Sequence, residues 1–137
     1  MEASNYSVVR EGDTIKTLSG AHAVVTYFES SVVVFEPNTQ LEMNRLRSKS
    51  TGDIDAIVLQ TSGQTWHVVQ HQENSEVSYQ VLTPTTIATV HGTSFQVRVS
   101  EGGATEVITR DGLVSTSGAN SKDTVAVGPG ESTSVAG

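Results

Sequence analysis

Thr83-Pro84-Thr85-Thr86-Ile87-Ala88-Thr89-Val90-His91-Gly92-Thr93-Ser94-Phe95-Gln96-Val97-Arg98-Val99 holds a rigid turn, a break of phase and a strand within one stretch. Phe95, Val97 and Val99 alternate with Gln96 and Arg98, the period-2 pattern of a strand with one buried face. Val90 stands five positions before Phe95, so on an unbroken strand it would point to the other face. The chain must therefore bend or bulge at Gly92, and glycine reaches the backbone conformations that such a bend needs. Pro84 fixes its own φ and pushes Thr83 toward an extended conformation. Two strands joined by a tight corner follow.

The same reading extends over the chain. Thr, Ser, Val and Gly dominate, aromatic residues make up 5%, and no amphipathic stretch of period 3.6 is long enough for a helix. Strands are predicted over 13–17, 21–28, 31–35, 40–44, 56–60, 65–70, 76–82, 86–90, 94–99, 105–109, 112–115, 124–127 and 132–135. Turn residues separate them at Gly12-Asp13, Pro37-Asn38, Ser62-Gly63, Gly102-Gly103, Asp111-Gly112 and Gly128-Pro129-Gly130. The fold class is all-β: a single domain of many short strands, with little or no helix. A two-sheet sandwich and a short stack of β-solenoid-like coils both fit this spacing.

At 137 residues the chain suits one domain able to bury roughly two-thirds of its unfolded surface. The net charge of −7 has the wrong sign for neutralising nucleic-acid phosphates or settling on an anionic bilayer. With no cysteine, disulfides, thiolate metal sites and cysteine nucleophiles are excluded. The longest apolar run, Val32 to Phe35, is far short of the roughly 18 residues of a membrane span. The first residues are acidic and polar, without the apolar core of a secretory signal, so a cytosolic protein or an excised piece of a longer one is expected.

Groups able to do chemistry give no catalytic constellation. His67 and His71 share a strand face but stand roughly 13 Å apart along it, and His22 and His91 lack a carboxylate at ligand spacing. All four are read as surface or edge-strand histidines, with no metal site. No Gly-x-Ser-x-Gly elbow or phosphate-binding Gly-Lys loop occurs. Asp53 and Asp55 flank a Gly turn, and Arg45, Arg47 and Lys49 read as a solvated hairpin loop. Trp66, with Phe28, Phe35, Tyr79 and Phe95, is assigned to the core, an exposed ligand platform being the second reading of Trp66. No catalytic residue, cofactor or metal is expected.

The order of motifs adds a resemblance. Gly12-Asp13-Thr14-Ile15, Val32-Val33-Val34-Phe35-Glu36-Pro37, Val58-Leu59-Gln60-Thr61-Ser62-Gly63, Val81-Leu82-Thr83-Pro84, Val90-His91-Gly92-Thr93-Ser94-Phe95, Asp111-Gly112-Leu113-Val114 and Gly128-Pro129-Gly130-Glu131 follow one another as in the FecR family domain, which the chain resembles from about Gly12 to Val135. His91 stands where that family usually carries arginine before Gly-Thr. The resemblance implies a FecR-like all-β domain over 12–137, preceded by an N-terminal segment, 1–11, that is a linker or an expression-derived addition. It makes Gly63, Thr83, Pro84, Gly92, Thr93, Phe95, Gly112, Gly130 and Glu131 fold positions.

Functionally, the resemblance implies a non-catalytic extracytoplasmic domain, sensory or protein-binding, from a transmembrane signalling regulator of the anti-sigma-factor type. The chain would be a fragment of a single-span, membrane-anchored protein facing the periplasm or cell surface. Its partner would be a protein or peptide, held by edge-strand pairing, and not a nucleic acid. The alternative is a structural or adhesive module of the cell wall or surface.

Overall fold

The computed structural model describes residues 10–27, 31–48, 53–69, 77–90, 93–118 and 124–135. Twelve strands and no helix lie among them. The strands are β1 (Thr14–Lys16), β2 (Ala23–Tyr27), β3 (Ser31–Phe35), β4 (Gln40–Ser48), β5 (Ile54–Val68), β6 (Val77–Leu82), β7 (Thr86–Val90), β8 (Ser94–Val99), β9 (Thr105–Asp111), β10 (Val114–Gly118), β11 (Thr124–Val127) and β12 (Ser132–Val135).

The pivot is β5. Its first half, as far as Gln60, lies between β4, antiparallel, and β6, parallel. Its second half, from Gly63, lies between β3 and β8, both antiparallel. One wing of the sheet therefore runs β1-β4-β5-β6-β7-β10-β11 and the other β2-β3-β5-β8-β9-β12. The wings fold toward each other about β5, and β11 approaches β9 and β12 on the far side. The result is a single bent, nearly closed, barrel-like sheet.

The bend corrects one sequence expectation. Ser62-Gly63 is no turn between two strands but a kink inside the continuous β5. Thr61 is an extra residue opposite β4, because Leu41 pairs with Gln60 and Gln40 with Ser62. Gly63 takes φ +89°, and a Cβ there would run into the backbone of Asn38 and Thr39. Only glycine meets both demands at low cost.

A second correction concerns the basic cluster. Arg45 and Arg47 stand on β4 rather than in a loop, paired at 3.3 Å with Asp55 and Glu11 respectively, while Lys49 lies outside the described residues. Such exposed pairs contribute about 0–1 kcal/mol each. Glu11 does more by accepting a hydrogen bond from the Leu46 backbone N–H. That occupies a donor on a free strand edge that could otherwise template pairing.

The core lies between the wings. Leu41, Met43, Ala56, Val58, Tyr79, Val81, Val90 and Val114 face it from one side; Val33, Phe35, Phe95, Val97 and Val107 face it from the other. Each buried Val, Leu, Met or Phe side chain among them contributes roughly 1.5–3 kcal/mol relative to exposure. Val90 and Phe95 are both fully buried because β7 and β8 do not pair. The chain crosses between the wings there, so the phase break in the sequence marks a change of wall.

Candidate functional site

Where the wings meet, four polar side chains form one hydrogen-bonded line. The Gln60 Nε2 donates to the backbone carbonyls of Gly63 at 3.0 Å and Val97 at 3.1 Å. Carbonyls only accept, so these bonds fix the amide and turn its Oε1 to Thr65, whose hydroxyl donates to it at 2.6 Å. The Thr65 hydroxyl has one proton, so at 2.7 Å it can only accept from His67 Nε2. His67 Nδ1 is then an acceptor, and the Tyr79 hydroxyl donates to it at 2.7 Å. The imidazole stacks on Phe95 with centroids 4.8 Å apart.

This corrects the reading of His67 as a surface histidine: it is fully buried and both ring nitrogens are engaged. Burial pushes its pKa down from 6.5 to about 3. A neutral, enclosed imidazole of this kind joins two walls and has no route to a substrate. His71 and His91 lie outside the described residues; His22 forms an exposed pair with Glu36 at 3.2 Å. Among the described residues no three metal-ligating side chains cluster.

The positions singled out from the sequence are dispersed over several corners. Gly63 is the β5 kink. In the β6–β7 hairpin, the Thr83 Oγ1 accepts from the Thr86 N–H at 3.0 Å and lies 2.7 Å from Thr105 Oγ1 at the start of β9, which ties the two wings. Pro84 faces Gly103, where a Cβ would lie 3.2 Å from the proline ring. Thr93 is buried, and its carbonyl accepts from Val69 N–H at 2.8 Å. Phe95 is core. Gly112 and Gly130 have φ of +81° and +79°; Gly130 N–H donates to Thr109 O, and the Glu131 carboxylate accepts from Gly128 N–H at 2.8 Å. Gly92 lies outside the described residues.

A different constellation stands on the outer wall of the second wing. Trp66, Gln96 and Ile108 are cross-strand neighbours on β5, β8 and β9. Gln96 is only 2% exposed, and its Nε2 meets no acceptor among the described residues. Arg110 is the extra residue of a β9 bulge, since Phe95 pairs with Thr109 and Ser94 with Asp111. Its guanidinium lies 4.8 Å from the Trp66 ring centroid, a cation–π contact. Half-buried Trp66 thus presents its ring outward, which corrects its assignment to the core. Sequence reasoning missed Gln96 and Arg110, for alternation alone assigns both to solvent.

At the far end of the wall, an open groove of ≈ 710 Å³ is lined by Glu36, Asn38, Gly63, Gln64, Arg98 and Glu101, among others. Its charges are mixed, and Arg98 is paired with Glu106 at 3.2 Å.

With this geometry in place, comparison with known families is decisive: the model of the FecR protein family matches residues 13–115. The chain belongs to the FecR family. Two crystal structures of a candidate anti-sigma factor from Parabacteroides distasonis, at 2.50 and 1.65 Å, share the fold. Each has a TM-score of 0.72 at 24% identity and matches 90% of this chain. The chain spans 55% of the length of those proteins. No curated protein sequence shows a significant match. Among the described residues of this FecR domain, no helix is long and apolar enough to cross a membrane.

Proposed function

We propose that this FecR domain is the extracytoplasmic, non-catalytic part of an anti-sigma-type transmembrane regulator, where it senses a signal by binding a protein or peptide partner. The observation that carries the reading is the family match over residues 13–115, on a fold also found in candidate anti-sigma factors. The chemistry of the chain agrees with a binding role. Among the described residues, the buried His67 is consumed by a structural network, while the outer wall holds an aromatic ring, a guanidinium with no carboxylate partner and an amide donor with no acceptor.

The test is a transcriptional reporter for the partner sigma factor in cells carrying the full-length regulator, with and without residues 13–115. The expected outcome is that removal locks the reporter in one state regardless of inducer, and that added protease cleaves the domain in spheroplasts, whose cytoplasmic membrane is sealed. A reporter that still responds without the domain would refute the sensory role. A domain sheltered from protease in spheroplasts, but digested once the cytoplasmic membrane is opened, would refute the placement.

A further inference from the structure

Three features of the outer wall converge on one ligand chemistry. The Gln96 amide is desolvated, and its Nε2 donor has no acceptor among the described residues. An unmade bond of this kind is a cost to the folded chain, which a ligand acceptor would remove. The β9 bulge re-aims Arg110, as bulges do. Its guanidinium reaches the ring of Trp66 two strands away, a separation of roughly 10 Å. The guanidinium therefore lies on the same outer face as the Trp66–Gln96 pair.

Charge supplies the third feature. Arg45, Arg47 and Arg98 face carboxylates, whereas Arg110 has no carboxylate partner among the described residues and is held on an aromatic face. In a chain of net charge −7, that leaves a cation and an amide donor on one face with no acceptor for either among the described residues. Toward β3 and β2 the wall is apolar: Val34 pairs with Trp66, and Val24, 66% exposed, pairs with Val34.

We infer that Gln96, Arg110 and Trp66 form a receptor for a carboxylate side chain on an extended partner segment. The guanidinium takes the carboxylate in a charge-assisted contact, and Gln96 supplies a further donor. Neighbouring apolar side chains of the segment rest on Trp66, Val34 and Val24, since every second residue of an extended chain faces the same way. The inference rests on the protein-binding reading above and names the partner's chemistry.

Trp66 is the only tryptophan, so its fluorescence reports on the site. The probe is a capped pentapeptide with glutamate at its centre, valine two residues away on either side and serine between them, so that glutamate and both valines face the same way, with a glutamine analogue as the uncharged control. The expected result is a saturable change in fluorescence with the glutamate peptide and binding roughly tenfold weaker with the glutamine analogue. Arg110→Gln and Gln96→Leu should each weaken the glutamate peptide by a similar factor while circular dichroism stays that of the parent. Arg110 is exposed, so its variant is the safeguard if Gln96→Leu fails to fold. Equal binding of both peptides, parent-like affinity in Arg110→Gln, or no saturable response would overturn the site. If that happens while the sigma reporter still depends on residues 13–115, only this site falls; if the reporter dependence also fails, the functional reading falls with it.

Discussion

His67 and Gln96 are both buried polar side chains on neighbouring strands, yet they point to opposite faces of the sheet in opposite conditions. His67 points inward, is 0% exposed, and has both nitrogens bonded, to Thr65 and Tyr79. Gln96 points outward, is 2% exposed, and carries an idle donor. A fully satisfied network in a dry interior holds its members in one geometry, whereas an unsatisfied group keeps an unmet affinity. The inner polar line is frame, and the outer cluster is face.

Breaking the frame should have the largest effect. His67→Ala removes the histidine's bonds to Thr65 and Tyr79 and opens a cavity in the core, and an expected loss of about 4 kcal/mol follows; chemical denaturation measures it. The next effect is pH dependence. The unfolded histidine protonates near 6.5 and the folded one near 3, so the stability due to its neutral state is complete above pH 6.5. It falls as pH drops through that window, by about 1.4 kcal/mol per pH unit. Denaturation of the parent and of His67→Gln across pH 7 to 4 isolates this slope, which should be missing in the variant.

On the face, Gln96 should respond with the opposite sign. Gln96→Leu removes a buried donor with no acceptor among the described residues, so a stability gain of about 1 kcal/mol is expected, read as a higher melting temperature. The smallest effect is that of Arg110→Gln, about 0.5–1 kcal/mol of lost cation–π contact, together with a changed Trp66 emission. A loss of stability in Gln96→Leu as large as that in His67→Ala would erase the distinction between frame and face.

Much of the frame was legible in the sequence. The alternation of Phe95, Val97 and Val99 gave a true strand, the Thr83-Pro84 and Asp111-Gly112 pairs gave true corners, and the order of these motifs pointed to the family. What failed has a common cause. Ser62-Gly63 reads alike as a turn and as a kink in a strand, and contact with Asn38 and Thr39 decides between them. His67 looked exposed because its partner Tyr79 arrives from the other wing. Gln96 sits at a position that local alternation gives to solvent, yet it is buried between its cross-strand neighbours Trp66 and Ile108. Local pattern shows the faces of a strand, but not what another strand brings to them.

The most direct measurement places Gln96→Leu in the full-length regulator and reads both the abundance of the protein and the sigma-dependent reporter under inducing conditions. The expected result is protein at or above the parent level with the inducer response lost, a stable frame without its face. A variant that is as abundant as the parent and signals as the parent does would contradict the role given to the outer wall.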